Sequence, residues 1–208
     1  MLDDRGFDLW ADGYDQSVEL SEKSNEYPFA AYKAVLNEVY RVVKQTKSNG
    51  CILDIGFGTG VLTKKLYADG YLITGVDFSN KMIEIARAKM PNATLLLCDY
   101  SGGLPKEVTE MKFDFIISTY AIHHLDDNQK ISIIKQMVNA LTLEGCIIFG
   151  DVLTETVKDM AKVKEKDHTL WDDEEYYLIA ENVRAWFPEY KVGFTAKSYC
   201  SGVLTIKR

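Results

Sequence analysis

A short stretch of glycines holds the backbone groups that are most suited to binding a small ligand. Residues 51–60 read as a buried strand, then a turn with Gly56, Gly58 and Gly60, then a helix that opens near Val61. Glycine lets the backbone bend tightly and lets a ligand approach it closely. A helix N-terminus presents unpaired N–H groups and a partial positive charge. We therefore expect the chemistry of this protein to take place at the mouth of this turn.

Two aspartates follow the turn at regular intervals. Asp77 lies 21 positions after Gly56, at the end of the next predicted strand, and Asp99 lies a further 22 positions along, after the third strand. A carboxylate at the first place can accept hydrogen bonds from both hydroxyls of a ribose, and one at the second can meet an adenine amino group. The glycines run G-x-G-x-G, and Val61 stands where the dinucleotide pattern has its third glycine. This spacing favours an adenosyl ligand over a dinucleotide.

Two adjacent histidines, His123 and His124, follow the fourth predicted strand at the same edge. A histidine there can act as a general base if a substrate must lose a proton, and His123 is the nearer to Tyr120. The structural alternative is that one histidine packs under the loop and the other caps it. The sequence shows no metal-ligand spacing and no Ser/His/Asp arrangement, so we predict no metal site.

These residues fall at the ends of strands that alternate with helices. Such alternation is typical of a doubly wound, Rossmann-like α/β fold, whose ligands bind at the carboxyl ends of the strands where the strand order reverses. The predicted sheet is seven-stranded and mostly parallel, with an antiparallel hairpin at its C-terminal edge and a helical cap at the N-terminal end of the chain. Its strands are predicted at residues 51–55, 71–76, 93–98, 113–119, 146–152, 191–196 and 199–207.

The chain has 208 residues, 47% of them apolar, which suffices for one substantial core. We predict a single domain over residues 1–208, and its parts are a helical cap (1–50), a cofactor-binding core (51–152), a helical insertion (153–190) and a C-terminal strand pair (191–208). In the cap, residues 7–15 show helical spacing, and Pro28 is predicted to open the second helix. In the insertion, the charged residues 154–173 indicate a solvated helix, and residues 174–187 indicate another.

Composition excludes several classes of protein. The net charge of −7 is spread along the chain, which argues against a nucleic-acid partner. No apolar run approaches the roughly 18 residues needed to span a bilayer, and the acidic start of the sequence does not resemble a targeting signal. The four cysteines sit in apolar runs and look like small buried hydrophobes of a reduced compartment. We expect a cytoplasmic protein, a monomer or homodimer, with no membrane partner.

With these motifs in place, the sequence resembles the class I S-adenosylmethionine-dependent methyltransferases. Their successive motifs are similar to residues 52–60, 75–79, 98–100, 113–125 and 140–146. Residues 7–15 further resemble the lid helix of small bacterial ubiquinone/menaquinone-biosynthesis-like methyltransferases. The resemblance implies S-adenosylmethionine as the cofactor and methyl transfer as the reaction.

The resemblance also implies roles for individual residues. Gly56 and Gly58 would let the backbone approach the methionine part of the cofactor, Asp54 would hold its ammonium group directly or through water, and Asp77 would bind the ribose hydroxyls. Asp77 alone could equally cap the next helix, but together with the glycines it favours cofactor binding.

Further cofactor contacts are implied on either side of these. Phe78 and Met82 would sandwich the adenine, whose edge would be read by Asp99 or by the backbone at Tyr100. The alternatives are that Met82 belongs to the core and that Asp99 belongs to a polar turn. Thr119 and Tyr120 are implied to lie near the sulfonium. Tyr14 is implied to close over the amino-acid end of the cofactor from the lid helix, and the alternative for Tyr14 is ordinary packing.

The acceptor is predicted to be a small, partly apolar molecule, attacked in line at the methyl group, so that alignment supplies much of the acceleration. An aromatic roof is predicted for it, made of residues such as Tyr27, Tyr32, Trp171, Tyr176 and Tyr177. The alternative for these rings is an ordinary packed core. Two other functions compete with a methyltransferase. One is a non-catalytic protein that binds S-adenosylmethionine or S-adenosylhomocysteine, and the other is a nucleotide-dependent oxidoreductase, against which the glycine spacing speaks.

Overall fold

The computed structural model describes residues 26–208. Its helices are α1 (Tyr32–Thr46), α2 (Thr63–Ala68), α3 (Asn80–Lys89), α4 (Lys106–Thr109), α5 (Asp127–Ala140), α6 (Val157–Lys166) and α7 (Ala180–Trp186). Its strands are β1 (Cys51–Ile55), β2 (Leu72–Asp77), β3 (Thr94–Leu97), β4 (Phe113–Thr119), β5 (Leu141–Thr154), β6 (Leu178–Ile179), β7 (Lys191–Ala196) and β8 (Ser201–Lys207). Among the described residues, no helix has the length and apolar character needed to cross a membrane.

The strands form one sheet in the order β3-β2-β1-β4-β5-β8-β7. The five strands from β3 to β5 are parallel, whereas β8 runs antiparallel to both β5 and β7. The predicted Rossmann-like sheet and its C-terminal hairpin are therefore confirmed, and the two-residue β6 beside β5 is an addition. The order reverses between β1 and β4, so a ligand site is expected at the carboxyl ends of these two strands.

Helices cover both faces of the sheet, and the strands are apolar on both faces as a result. Successive residues of one strand enter different cores: Ile52 packs with α1 residues such as Val39, while Leu53 packs with α5 residues such as Met137. Two capping arrangements fix where helices begin behind the carboxyl edge. The Ser79 hydroxyl accepts the Met82 N–H at 3.2 Å at the start of α3, and Asp126 forms a capping box at the start of α5.

Three predicted boundaries were wrong. The helix predicted over residues 174–187 begins only at Ala180, because residues 178–179 pair with β5 as the strand β6. The helix predicted to open at Pro28 begins at Tyr32, since the preceding residue Ala31 has a left-handed backbone, with φ of +58°. The fifth strand begins at Leu141 rather than at residue 146. The predicted helix over residues 7–15 lies outside the described residues.

Candidate functional site

A cavity of about 310 Å³ opens at the carboxyl edge of the sheet, above the glycine turn. The predicted site residues that line it are Gly56, Gly58, Asp77, Phe78, Met82, Tyr100, Thr119, Tyr120 and His123. Asp54 and Asp99 do not line it, and Tyr14 lies outside the described residues. The strand-reversal point thus brings together residues from four separate sequence motifs.

The glycine turn presents backbone without side chains to the cavity at Gly56 and Gly58. Gly56 has a φ of +69°, and a Cβ built there would lie 2.4 Å from the Cβ of Ala121. Gly58 has a φ of +54° and no atom within 4 Å of such a Cβ. Both backbones lie in the left-handed region that favours glycine. The turn therefore needs Gly56 for close packing and leaves open space beside Gly58.

Asp77 is buried at the end of β2, and its carboxylate binds the glycine turn. One oxygen accepts the Gly58 N–H at 2.8 Å and the other accepts the Ser79 N–H at 2.9 Å. Because Ser79 itself is the N-cap of α3, Asp77 is not needed as the cap of that helix. Asp77 also lines the cavity, and a carboxylate oxygen can accept more than one hydrogen bond, so the group is placed to bind a hydroxyl of a ligand.

Asp54 lies beneath the turn and is 1% exposed. Burial raises its pKa to about 7 despite a hydrogen bond from the Thr63 hydroxyl, and the neighbouring charge of Asp77 adds to the increase. The second oxygen, Oδ1, is buried and has no hydrogen-bond partner among the described residues. A buried carboxylate oxygen without a partner suits a cationic ligand group, which would restore the ordinary pKa.

An apolar wall stands beside Asp77. Phe78 and Tyr100 meet edge to face with ring centroids 6.3 Å apart, and Met82 lines the cavity from the first turn of α3. Such a wall suits the flat face of a base. Asp99 instead accepts the Ser101 N–H at 2.9 Å in the turn after β3, as in the polar-turn alternative.

The opposite side of the cavity begins at the end of β4. Tyr120 has a φ of +50°, unusual for a residue with a side chain, and its ring contacts those of Phe29 and Tyr32 at 5.3 and 5.1 Å between centroids. Phe29 and Tyr32, from the start of α1, also line the cavity. The segment that leads into α1 therefore covers the site, and Phe29 carried no signal in the sequence.

Beyond Tyr120 lies a group of titratable side chains centred on His123, which is 8% exposed. Its Nδ1 lies 2.8 Å from Oδ1 of Asp151, and its Nε2 lies 3.6 Å from Oε1 of Glu175. Burial alone would lower the pKa of His123, but the two carboxylates outweigh it and the pKa is raised. Burial, with a smaller effect of His123, lowers the pKa of His124 to about 3.

The segment of residues 172–177 closes this side of the cavity. The Tyr176 N–H donates to the carbonyl of His123 at 2.8 Å, and the fully buried Lys130 donates to the carbonyl of Tyr176. The Tyr177 hydroxyl donates to Oε2 of Glu175. These bonds hold residues 172–177 against the region of His123 and Lys130, which lies about fifty positions earlier in the chain.

Sequence reasoning missed Asp151, Glu175 and Lys130. Asp151 could have been found, because it lies near the carboxyl end of a strand predicted to reach residue 152. Glu175 and Lys130 stand in charged helical patterns without a distinguishing signal.

The predicted aromatic roof was largely wrong. Only Tyr32 of its five members lines the cavity. Tyr27, Trp171 and Tyr177 instead pack on one another, with ring centroids 5.0 to 6.0 Å apart, and Tyr176 is 45% exposed. Tyr27, Trp171 and Tyr177 therefore belong to a small separate core, as in the packed-core alternative, rather than to a ligand surface.

Known proteins that are similar to this chain in sequence are methyltransferases. Residues 52–145 match the family described as methyltransferase domain. An uncharacterized methyltransferase of Oceanobacillus iheyensis is 37% identical over 192 residues, which cover 88% of this chain and 86% of the relative. An uncharacterized methyltransferase of Geobacillus sp. (strain WCH70) is 33% identical over 201 residues, which cover 92% of this chain and 91% of the relative.

Solved structures with the same fold include the complex of DhpI with SAH, which has a TM-score of 0.71 at 15% identity and covers 97% of this chain and 92% of that one. The magnesium protoporphyrin IX methyltransferase (ChlM) of Synechocystis PCC 6803 with bound SAH has a TM-score of 0.66 at 17% identity, and the match covers 86% of this chain and 85% of that one. At these identities the likeness concerns the fold.

Proposed function

Because the chain belongs to the class I S-adenosylmethionine-dependent methyltransferases, we propose that it methylates a small-molecule acceptor held between the glycine turn and His123. The observation that carries the proposal is the continuity of the cavity. It runs from the residues suited to the cofactor, around Asp77, to the group around His123 and Glu175. Space beyond the cofactor residues supports catalysis over mere cofactor binding.

Bound S-adenosylmethionine supplies a methyl group that its sulfonium already activates for displacement. The described residues fit its parts: Asp77 presents a carboxylate to the ribose hydroxyls, and Phe78 offers a ring to the adenine. Asp54, beneath the turn, has a buried oxygen without a partner among the described residues, which would hold the ammonium group directly or through water. The glycine turn holds the cofactor close to the backbone because a side chain is absent from its floor. These residues bind and orient, which is the main requirement of an in-line transfer.

We assign His123 to the acceptor. Its Nδ1 faces Asp151, so in the neutral ring the proton sits on Nδ1 and the lone pair is on Nε2. Nε2 lies 3.6 Å from Oε1 of Glu175, and both residues line the cavity. That lone pair can promote loss of a proton from the acceptor in two ways. It can accept the proton itself, or it can bind a cation to which the acceptor is also bound. The rings of Phe29, Tyr32 and Tyr120 make the same space partly apolar, which supports an organic acceptor of modest size.

The proposal is tested by calorimetric titration with S-adenosylhomocysteine and by thermal unfolding in its presence. Asp77→Ala removes the two hydrogen bonds proposed between the ribose hydroxyls and a charged group, each worth about 1.5–3 kcal/mol, so we expect affinity to fall about a hundredfold or more. Asp99→Asn is the matched control, since it ends the neighbouring strand but does not line the cavity. Formation of S-adenosylhomocysteine from S-adenosylmethionine is then measured across a panel of small hydroxyl, thiol and amine acceptors. Absence of binding at millimolar ligand would refute the proposal.

A further inference from the structure

We propose that His123, His124 and Glu175 form a binding site for one divalent transition-metal ion at the acceptor end of the cavity. Its use in catalysis rests on the function proposed above, whereas metal binding itself does not. One ligand atom from each of these residues lies within 4.8 Å of the others, and all three residues line the cavity.

Asp151 prepares His123 as a metal ligand. Its carboxylate Oδ1 lies 2.8 Å from Nδ1 of His123, and Asp151 is fully buried. A carboxylate that accepts the Nδ1 proton fixes both the tautomer and the orientation of the ring, and it leaves the Nε2 lone pair available. Histidines that bind metals are held in this way by a second partner.

The distance between Nε2 of His123 and Oε1 of Glu175 suits a shared cation. At 3.6 Å it is too long for a hydrogen bond. Two ligands of a tetrahedral zinc ion, each bound at about 2.0–2.2 Å, lie roughly 3.4 Å apart. A neutral imidazole and a carboxylate both present lone pairs here, so a cation placed between them removes their mutual repulsion.

His124 supplies the third ligand. Its ring lies against that of His123, with centroids 4.2 Å apart and an interplanar angle of 67°. Two histidines and one carboxylate match the ligand types of catalytic zinc and related ions, which keep a position open for water or substrate. The open position would face the cavity, where the acceptor is proposed to lie.

The ligands are held together before any ion binds. The Tyr177 hydroxyl donates to the other oxygen of Glu175, and the Tyr176 N–H donates to the carbonyl of His123 at 2.8 Å. The segment that carries Glu175 is therefore tied to the segment that carries both histidines. Such support by surrounding hydrogen bonds is what a precise metal site requires. A cation there would lower the pKa of an acceptor hydroxyl or thiol, which gives the His123 lone pair a definite use.

The sequence predicted no metal site, because two adjacent histidines lack the usual ligand spacing. The third ligand lies 51 positions after His124, and only the fold brings it near.

The test is titration of the EDTA-treated, full-length protein with Co²⁺, followed by visible absorption, and with Zn²⁺, followed by calorimetry. We expect one ion per chain and bands typical of bound cobalt. Glu175→Gln and His123→Ala remove ligands and are expected to weaken binding about a hundredfold or more, while Asp151→Asn is expected to weaken it about 10–100-fold. His168→Ala is the matched control, because His168 is exposed and does not line the cavity.

Binding of S-adenosylhomocysteine to the same variants separates the outcomes. A variant that still binds S-adenosylhomocysteine is folded, so its loss of cobalt binding reports on the metal site. If the wild-type protein binds S-adenosylhomocysteine but shows no saturable uptake of Co²⁺ or Zn²⁺, the metal site is refuted and the proposed function stands. Uptake that Glu175→Gln and His123→Ala leave unchanged identifies an adventitious site and refutes the proposal equally. Failure to bind S-adenosylhomocysteine refutes the proposed function instead.

Discussion

The two halves of the cavity are built in different ways. Most of the cofactor half comes from residues 54–82, in which β1, the glycine turn, α2, β2 and the start of α3 follow one another, and Tyr100 joins it from the turn after β3. Much of its geometry is backbone. The acceptor half is assembled from His123, Asp151 and Glu175, which come from separate segments and meet through side chains. The first half is therefore fixed by local sequence, and the second depends on how distant elements pack. Changes in one half are expected to leave ligand binding in the other intact.

The largest effect is expected from Gly56→Ala, in the cofactor half. The new Cβ would lie 2.4 Å from the Cβ of Ala121, which cannot rotate away, and the φ of +69° is unfavourable for alanine. Backbone strain of about 1–2 kcal/mol and overpacking of about 1–3 kcal/mol should lower the free energy of unfolding by about 4 kcal/mol. Urea denaturation measures this loss. Gly58→Ala shares the strained φ but not the clash and should lose about 1–2 kcal/mol. Equal losses would show that close packing at Gly56 is unimportant.

Asp54→Asn should change the pH dependence of stability. The pKa of Asp54 is about 7 in the folded protein, against an ordinary value of 3.8, because of burial and the nearby Asp77 carboxylate, with the Thr63 hydroxyl opposing them. Between these values the folded state retains a proton that the unfolded state has lost, so the free energy of unfolding falls as pH rises. From pH 5 to 7 the wild-type protein should lose about 2–3 kcal/mol relative to the variant. Urea denaturation of both proteins at several pH values measures the difference. If the free energy of unfolding depends on pH in the same way in both proteins, the pKa of Asp54 is not raised in the folded state.

Phe78→Ala should weaken S-adenosylhomocysteine binding about tenfold, since stacking of an aromatic ring on a base contributes about 1–3 kcal/mol. Calorimetric titration gives the affinity. Tyr176→Ala is the matched control, because Tyr176 is exposed and does not line the cavity. Cobalt binding in the acceptor half should stay unchanged in Phe78→Ala. A tenfold loss there as well would show that the two halves are coupled.

Lys130→Met should have the smallest effect and should act only on the acceptor half. The buried ammonium group donates to the carbonyl of Tyr176 and lies 3.5 Å from Asp127. Replacing a buried charge by an apolar side chain of similar length removes a desolvation cost along with the hydrogen bond, so the free energy of unfolding should change by about 1 kcal/mol or less. Amide hydrogen exchange over residues 172–177 should quicken, whereas S-adenosylhomocysteine affinity should not change. Lys135→Met, at an exposed position of the same helix, is the control. Equal exchange in both variants would exclude a positioning role for Lys130.

The sheet and most of the residues that line the cofactor half of the cavity could be predicted from the sequence. Hydrophobic runs ending in glycines or aspartates predict strands and their carboxyl ends, and the fold then places those ends side by side. Thus Gly56, Gly58, Asp77, Phe78 and Met82 were found from spacing and resemblance, and all of them line the cavity. Their assignment to the cofactor remains a prediction.

The acceptor half, in contrast, depends on contacts that form only in the folded chain. Glu175 reaches His123 because β6 pairs with β5 and turns the preceding segment over the cavity, and no local pattern indicates a two-residue strand. The same pairing removes the predicted helix over residues 174–179 and draws Tyr27, Trp171 and Tyr177 into a separate core. The physical reason is the sequence separation of the residues involved. Turns and strand ends follow from neighbouring residues. Side-chain clusters depend on contacts between segments tens of residues apart, and the packing of those segments overrides local preference.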